Sequence, residues 1–246
     1  MVDDLLDNSA WTAMTGPQSH LAERIGNATR YRPDVAGFSA LPLTPTAADW
    51  ADLAELTGPG RTTVISGPRR VAPTGWEVTA LVDGVQFDGT GLRVEPDPEA
   101  VVLGVDDVPE MMDLVERTQP GPFRTGTHLL GTYLGIRRDG RLVAMAGERV
   151  RPPGWSEISA VCTDASVRGQ GLATRLVRAV GAVIRERGDV PFLHTGAANT
   201  TAIRLYEHIG FVLRMRTEFT ELRAPALVTA AGGPGARSRA EPGPAA

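Results

Sequence analysis

A strand, a glycine-containing turn, a helix and a second strand follow one another between Trp155 and His194, and this order limits the possible folds more than any other feature of the sequence. The turn, Arg168-Gly-Gln-Gly171, opens a helix whose apolar residues share one face, at positions 172, 173, 176, 177, 180, 183 and 184. Two arginines occupy its last turn, and Gly188 ends it. The unit predicts an α/β protein.

A short further helix is predicted after Asn199, a favourable N-cap residue, and it ends at Gly210. The other predicted helices are Leu5–Met14, Ala47–Leu56 and Val108–Glu116. The other predicted strands are Thr62–Ser66, Trp76–Val82, Thr132–Ile136, Leu142–Val150 and Trp155–Thr163. Hairpin turns are predicted at Asp83-Gly84 and at Arg137-Arg-Asp-Gly140.

The sequence pattern divides the chain into three parts. Residues 1–100 mix helix and strand patterns with Pro-rich breaks, and their strands in 62–88 lead us to expect a degenerate copy of the architecture that follows. Residues 101–224 hold the clearer order of elements. Residues 225–246 are rich in Ala, Gly and Pro without periodicity, so we expect a disordered tail whose deletion changes stability little.

Composition excludes several kinds of chemistry. All 25 basic residues are Arg, so there is no lysine for a Walker A loop, a Schiff base or a pyridoxal phosphate anchor. The single cysteine and four scattered histidines have no metal-ligand spacing, so no metal is expected. Within a net charge of −4 the C-terminal half is only mildly basic, which could favour an anionic ligand but is too weak for nucleic acid, since that usually needs a concentrated basic stripe. Without a long apolar run, and with an acidic N-terminus, we expect a cytoplasmic protein with no membrane association.

The glycine turn suits a phosphate group. A strand that enters a helix through such a turn presents unpaired backbone N–H groups at the positive end of the helix dipole. Gly169 and Gly171 let the backbone approach a pyrophosphate without a Cβ in the way. The same glycines are also used in loops that bind nothing, so the turn alone does not separate the two interpretations.

Two motifs in their observed order are more specific. The first is Ser166-Val-Arg-Gly-Gln-Gly171, and the second runs from Asn199 through a helix with Ala and Tyr to Gly-Phe211. They resemble the signatures of the GCN5-related N-acetyltransferase (GNAT) superfamily, most closely its FR47-like branch. That family's turn begins with Gln or Arg, and Ser166 stands in that place here. The resemblance covers residues 101–223.

The resemblance implies a mixed, mostly antiparallel sheet flanked by helices, with acetyl-CoA as acyl donor and an amine as acceptor. The pantetheine arm would lie between two splayed strands, and the pyrophosphate on the glycine turn. The residues that it assigns to acetyl-CoA are Val161, Cys162, Thr163, Arg168, Gly169, Gln170, Gly171, Leu172, Ala173 and Asn199. Tyr206 would point to the sulfur. Asn199 and Tyr206, two helical turns apart, share a face.

Glu157 is the candidate general base. Strand alternation predicts one face with Glu157, Ser159, Val161 and Thr163, and an opposite face with Ile158, Ala160 and Cys162. A carboxylate in a strand of small and apolar residues costs free energy unless it is paired or functional, and the family often places its base on this strand. A salt bridge to Arg149 or Arg151 is the competing interpretation.

Structural interpretations stand beside the other candidate roles. Tyr206 would also suit a core position with its hydroxyl at the rim, and Asn199 would also serve as an N-cap alone. Cys162 is expected to be a small buried side chain rather than a nucleophile. His194, at the end of a strand, is expected to be a hydrogen-bonded structural residue, and His208 to be solvated.

We therefore predict direct acetyl transfer in a ternary complex, in which Glu157 removes the ammonium proton of the acceptor and Tyr206 protonates the departing thiolate. The expected acceptor is a small-molecule amine or amino acid, whose identity the sequence does not specify, and a homodimer stays open. Two alternatives remain. One is a non-catalytic module that binds or senses acyl-CoA. The other is an interaction protein on a retired GNAT fold, an alternative that Ser166 keeps open.

Overall fold

The structure is a computed structural model that describes residues 3–226. From residue 227 on, the predicted tail lies outside this part. The described helices are α1 (Asp3–Asp7), α2 (Ser9–Met14), α3 (Ala47–Thr57), α4 (Val108–Thr118), α5 (Leu172–Glu186) and α6 (Thr200–Ile209). The strands are β1 (Ala22–Ile25), β2 (Ala28–Tyr31), β3 (Phe38–Ala40), β4 (Thr62–Gly67), β5 (Glu77–Asp88), β6 (Val101–Leu103), β7 (Tyr133–Arg138), β8 (Arg141–Glu148), β9 (Trp155–Thr163), β10 (Val190–Gly196) and β11 (Val212–Arg223).

All eleven strands form one mixed sheet in the order β1-β2-β3-β4-β11-β5-β10-β9-β8-β7-β6. Neighbouring strands are antiparallel except for two parallel pairs, β3 with β4 and β9 with β10. Helices α3, α5 and α6 pack on one face, and α2 and α4 pack on the other. The α/β class and the mostly antiparallel sheet flanked by helices are thus confirmed. None of the helices in residues 3–226 is long and apolar enough to span a membrane.

The two halves of the chain have the same strand arrangement. In each half, two antiparallel pairings lead to a strand that is joined through a helix to a parallel neighbour: β1-β2-β3-α3-β4 in one half and β7-β8-β9-α5-β10 in the other. This repetition is the arrangement that a degenerate copy in the N-terminal half requires.

The halves also exchange one strand each. Strand β5, from the N-terminal half, pairs with β10, while β11, from the C-terminal half, pairs with β4. The two exchanged strands pair with each other along almost their whole length. The sheet is therefore continuous across the boundary predicted at residue 100, and a strand from residues 1–100 lies beside the strands of the predicted catalytic half.

One predicted hairpin is wrong, because β5 runs straight through Asp83-Gly84. Gly84 serves packing here: a Cβ at this position would lie 2.7 Å from the ring of Phe219 on the neighbouring strand. The hairpin at Arg137–Gly140 is confirmed, since Asp139 and Gly140 both have positive φ, 50° and 79°, as its tight turn requires.

The first predicted helix is also interrupted. It is split into α1 and α2 at Asn8, whose φ of −137° is not helical. The Asn8 side chain donates a hydrogen bond to the carbonyl of Leu41, 2.8 Å away and buried. The predicted helix at Ala47 is confirmed with its cap: the Thr46 hydroxyl accepts from the N–H of Asp49, whose carboxylate in turn accepts from the N–H of Thr46.

Candidate active site

A cleft opens where the parallel strands β9 and β10 separate. They pair only from Trp155 and Val190 to Ile158 and Leu193. Beyond this point β10 continues along β5 and β9 continues along β8. The edges that face each other from Ser159 and His194 onward are unpaired within the described sheet. The separation leaves a cleft of about 750 Å³.

A β-bulge at Ala160 shapes the β9 wall of this cleft. Met145 lies opposite Cys162 and Gly147 opposite Ser159, so β9 contains one extra residue between these pairs. Ala160 has a φ of +52°, which is rare for a residue other than glycine. The predicted alternation fails here, because the extra residue shifts the side-chain period.

The consequence is a reassignment of faces along β9. Ile158 and Val161 pack in the same core under α5 and α6, whereas Ala160 and Cys162 pack with α4 on the opposite face. The prediction that Ile158 and Cys162 share a face is therefore wrong. Alternation predicts neither the bulge nor its position, since nothing in the residue pattern marks the extra residue.

The glycine turn ends at the N-terminus of α5 with its backbone donors free. Arg175 is the first residue of α5 whose N–H meets a backbone acceptor, the carbonyl of Gly171 at 3.1 Å. The N–H groups from Gly169 to Thr174 have none among the described residues. Gly169 and Gly171 have φ of +81° and +75°, and a Cβ on either would meet no atom within 4 Å. The glycines thus leave open space in front of free donors, which fits a bound pyrophosphate.

The equivalent helix of the other half is closed in the same place. The first N–H groups of α3 face the side chain of Thr46, and Asp49 adds a negative charge in the first turn. An anion is unfavourable beside that carboxylate. Of the two strand–helix–strand units, only the one with α5 therefore has an N-terminus that can accept phosphate groups.

Ser166, where the family has Gln or Arg, faces Asp164 instead of the turn. Its hydroxyl donates to Asp164 Oδ1 at 2.7 Å, and its N–H donates to the same oxygen at 2.9 Å. Asp164 is also paired with Arg117. This local ion-paired network holds the turn in place of the longer side chain, while Arg168 next in the turn lines the cleft.

Asn199 caps α6, as the sequence predicts. Its side-chain Oδ1 accepts a hydrogen bond from the N–H of Ala202 at 3.1 Å. The residue is exposed at the cleft wall, and no described residue accepts a bond from its amide N–H groups. On the opposite wall the hydroxyl of Thr163 is buried without a hydrogen-bond partner. Both groups are suited to the amides of a pantetheine arm.

Tyr206 lines the cleft from α6 and is only 8% exposed. Its ring packs against Phe87 and Phe211, with centroids 6.3 and 5.8 Å away. No described residue hydrogen-bonds to its hydroxyl. Burial raises the pKa of Tyr206 to about 12, so the hydroxyl keeps its proton at neutral pH. The geometry therefore combines core packing with a hydroxyl that can donate a proton.

Cys162 also lines the cleft, but it is not an activated nucleophile. Its side chain is 6% exposed and packs in the core under α4. Burial raises the pKa of the thiol to about 11, so almost no thiolate forms at neutral pH. A covalent acyl-cysteine step finds no support in these surroundings.

Glu157 lies at the apex of the cleft, behind its wall, and is fully buried. Its carboxylate accepts two hydrogen bonds from Arg149, from Nε at 2.9 Å and from Nη2 at 2.6 Å. Oε1 also lies 2.7 Å from Nδ1 of His194. Burial alone would raise the pKa of Glu157, but the charge of Arg149 and the contacts with His194 outweigh it and hold the pKa well below its usual range. Arg149 is one of the two salt-bridge partners that the sequence offered.

His194 connects Glu157 to the other half of the molecule. Its Nε2 lies 3.0 Å from the side-chain nitrogen of Gln86 on β5, and the Gln86 oxygen accepts from Arg214 at 2.8 Å. Because the Gln86 oxygen accepts from Arg214, the Gln86 amide N–H faces Nε2, and Nδ1 of the ring faces the Glu157 carboxylate. His194 and Arg149 line the cleft, so Glu157 influences the cleft only through these two side chains that it contacts.

The predicted residues are divided between the cleft wall and its end. Those that line the cleft are Val161, Cys162, Thr163, Arg168, Ala173, Asn199 and Tyr206. Gly169, Gln170, Gly171 and Leu172 form the turn at its end. The cleft is also lined by Phe219 and by the segment from Thr118 to Pro120, which the sequence pattern does not predict. They come from β11 and from the end of α4, far from either motif, and no local pattern marks them.

Comparison with known proteins agrees with this geometry. The model of the family described as FR47-like protein matches residues 133–220. A crystal structure from Novosphingobium aromaticivorans, assigned to the GNAT acetyltransferases, is 42% identical, with a TM-score of 0.81 over 88% of this chain and 97% of that one. A search of curated protein sequences finds no match. The chain belongs to the GNAT family of acetyltransferases.

Two more distant structures share the fold. A GCN5-related N-acetyltransferase from Kribbella flavida is 16% identical, with a TM-score of 0.63 over 92% of this chain and 98% of that one. A GCN5-related N-acetyltransferase-like protein from Streptococcus suis is 18% identical, with a TM-score of 0.55 over 87% and 92%. Both cover most of this chain, including its N-terminal half. Family membership identifies the protein as an acyltransferase.

Proposed function

We propose that the protein transfers an acetyl group from acetyl-CoA to a primary amine by direct attack in a ternary complex. One observation carries the proposal: the uncapped N-terminus of α5 opens onto a cleft that leads to the protonated hydroxyl of Tyr206. A phosphate site and a proton donor at two places along one cleft match a donor with a phosphate end and a reactive sulfur end.

The chain holds such a donor with groups that are otherwise unused. The N–H groups from Gly169 to Thr174 and the Arg168 guanidinium would bind the pyrophosphate, because both favour negative charge. The unpaired edge of β9, the Thr163 hydroxyl and the Asn199 amide would pair with the pantetheine amides. When bound, acetyl-CoA supplies a thioester whose carbonyl carbon accepts a nucleophile.

Tyr206 acts as general acid in this proposal. The free amine of the acceptor attacks the carbonyl carbon, the carbon–sulfur bond breaks, and Tyr206 donates its proton to the departing sulfur. The nitrogen of the new amide loses its extra proton to water, and water returns a proton to the Tyr206 oxygen. Cys162 takes no part, since its thiol stays protonated. Holding both substrates in one cleft supplies much of the rate, because the attack becomes intramolecular.

Glu157 acts on the cleft through the side chains that it holds in place. Its low pKa and its two bonds from Arg149 make it a weak direct base, so the proposal gives it an indirect role. Its carboxylate fixes the positions of His194 and Arg149, and the ammonium proton of the acceptor leaves to water in the cleft before attack. Glu157 is thus a positioning residue, which holds two side chains of the cleft wall in place.

The test is a coupled measurement of binding and turnover. Calorimetry with acetyl-CoA measures the donor site, and release of free thiol with a panel of primary amines measures transfer. We expect donor binding that weakens as salt rises, because phosphate groups are recognised, and thiol release that depends on an amine. Mass spectrometry of the amine should show a gain of one acetyl group.

A second candidate function is a module that binds acyl-CoA without turnover. The observation that favours it is the closure of Glu157 and His194 by their own partners, which leaves no carboxylate on the cleft wall as a direct base. Binding of acetyl-CoA with no acetylated product from any amine would select this candidate. Absence of binding would instead select the interaction protein on a retired fold.

A further inference from the structure

We infer that the acceptor is a primary amine that carries a carboxylate, and that Arg149 binds this carboxylate. The inference rests on the proposed acetyl transfer and names the substrate class of the same cleft. It starts from the charges of the wall. Arg149, Arg168 and His194 line the cleft, and no Asp or Glu is among the described residues that do.

This distribution disfavours acceptors with a second positive charge. A polyamine would bring an ammonium group into a cleft where no carboxylate lines the wall, and an unpaired ammonium group loses hydration without compensation. The Arg168 end is already assigned to phosphate groups. Arg149 is therefore the cation that remains for the acceptor.

The guanidinium of Arg149 is positioned before any ligand binds. Glu157 takes its Nε and Nη2, and the group lies 4.9 Å from the centroid of the Phe38 ring. The side chain is 13% exposed, and Nη1 makes no hydrogen bond to the described residues. A rigid arginine with unused N–H groups on Nη1 and Nη2 loses little entropy on binding and presents them in a fixed direction.

Glu157 does not exhaust the capacity of Arg149, as other arginines of this protein show. Arg175 donates hydrogen bonds to Asp97 from Nε and Nη2, at 2.6 and 2.8 Å. It also donates one to Glu99 from Nη2, at 2.8 Å. The Nε and Nη2 contacts of Arg149 with Glu157 repeat this bidentate geometry. A second carboxylate, found at Arg175, is absent at Arg149, whose side chain faces the cleft. We assign that place to the carboxylate of the acceptor.

The cleft has room for a small acceptor beside the donor. The whole volume of about 750 Å³ includes the space that the pantetheine arm needs. Arg149 and Tyr206 line the same cleft, so one small molecule can present its carboxylate to Arg149 and its amine to the thioester. An amino acid carries both a carboxylate and an amine.

The experiment compares amino acids with analogues that lack the negative charge of the carboxylate. Each of a panel of amino acids is offered with its amide and with its decarboxylated amine, and thiol release and product mass give kcat/KM. A charge-assisted hydrogen bond predicts a preference of roughly 10- to 100-fold for the amino acid over its amide. Equal or faster turnover of the amides or decarboxylated amines would overturn the inference and leave the proposed function intact.

Product binding tests the inference even without turnover. Calorimetry on the full chain with CoA measures the affinity of N-acetyl amino acids and of their amides. Tighter binding of the carboxylate with no turnover of any amine would refute the proposed function and support the carboxylate site. No preference, or no binding of either compound, would refute the site.

A charge-neutral double variant tests Arg149 itself. Arg149→Met with Glu157→Gln removes both charges, so no buried carboxylate is left unpaired. We expect the preference for N-acetyl amino acids over their amides to fall to about one, with the affinity for acetyl-CoA unchanged. The matched control is Arg30→Met with Glu23→Gln, an ion pair of β1 and β2 outside the cleft. A preference that survives in the Arg149 variant and equals that of the control would refute the assignment.

Discussion

Ile158 of β9 and Leu193 of β10 form the last parallel pair before the two strands separate, and the cleft begins at this pair. The bulge at Ala160 lies two residues further along β9, and the contact of His194 with Glu157 lies one residue further along β10. The point of separation therefore places the unpaired edge of β9, the ion pair of Arg149 with Glu157, and Tyr206 around one cleft.

Gly171→Val should weaken acetyl-CoA binding. The glycine has a φ of +75°, and a side chain there would enter the open space in front of the free N–H groups. The matched control is Gly188→Val, at the other end of the same helix, with a φ of +91° and equally open surroundings. Both variants carry similar backbone strain, roughly 1–3 kcal/mol, so both should melt earlier. Calorimetry should show lost affinity in the Gly171 variant alone, and equal affinities would remove the phosphate site from this turn.

Tyr206→Phe should slow turnover by roughly 10²–10⁴-fold, the usual range for loss of an acid or base. The ring contacts with Phe87 and Phe211 remain, so stability and donor affinity should change little. Tyr133→Phe is the control, because its hydroxyl is buried without a partner and lies outside the cleft. That variant should keep its activity. A normal rate for Tyr206→Phe would transfer the proton-donor role to solvent.

The pH profile gives a second check on Tyr206. Burial raises its pKa to about 12, so the hydroxyl stays protonated through the range in which the protein is assayed. We therefore expect the wild type and Tyr206→Phe to show the same pH dependence of kcat between pH 8 and pH 10. An alkaline decline in the wild type that is absent from Tyr206→Phe would show that the hydroxyl ionises at a much lower pH.

The parts that could be predicted from the sequence are those fixed by local pattern. The helix after Gly171 and the cap at Asn199 were predicted because apolar spacing and capping residues act within a few positions. The bulge at Ala160 and the straight course of β5 through Gly84 could not be predicted. Both depend on neighbours distant in the chain, Met145 to Gly147 in one case and Phe219 in the other.

The site shows the same division. The turn from Arg168 to Gly171 and the pair Asn199 and Tyr206 belong to continuous motifs, so a resemblance could assign them. Phe219 and the end of α4 reach the cleft only through the sheet order, which places β11 beside β5. The exchange of strands between the halves has no signature in either half, and it decides which side chains line this part of the cleft.

Deletion of residues 1–100 should give insoluble protein. The deletion removes β5, which fills the place between β10 and β11 and contributes Val85 and Phe87 to the core under α5. Strand β10 would lose one neighbour, and β11 would lose both because β4 is removed as well, so their edges would be exposed. Solubility after expression and thermal melting provide the measurement, and a chain truncated after residue 226 is the control that should stay soluble. A soluble, cooperatively melting 101–224 fragment would show instead that the halves are independent domains.

The stability of the protein should fall in acid because of Glu157. Its pKa in the folded state lies below its ordinary value of 4.5, so the native state binds fewer protons than the unfolded chain. The stabilisation is therefore complete above about pH 4.5 and is lost as the pH falls toward the folded pKa. Glu157→Gln should lower the melting temperature at pH 7 and flatten its decline between pH 5 and pH 3. Glu110→Gln, in a more exposed ion pair with Arg137, is the control with a small effect.

The pH dependence of activity separates the two roles of Glu157. If the residue takes the ammonium proton, Glu157→Gln should lose turnover mainly at low pH, and higher pH should restore part of the rate because the acceptor then arrives as free amine. If it positions His194, as its bonds to Arg149 indicate, the loss should be similar at every pH. We expect the second outcome, with a lower kcat and little change in the KM for acetyl-CoA.

A matched variant at the next residue of the network completes this test. His194→Asn keeps an amide N–H near the position of Nδ1, which contacts Glu157, but removes the rest of the imidazole, so under the positioning role it should reproduce the pH-independent loss of Glu157→Gln. The double variant should then be no slower than either single variant, because residues that act as a unit are not additive. Additive losses would show that the two residues act separately, and restoration of Glu157→Gln at high pH alone would return the base role to the carboxylate.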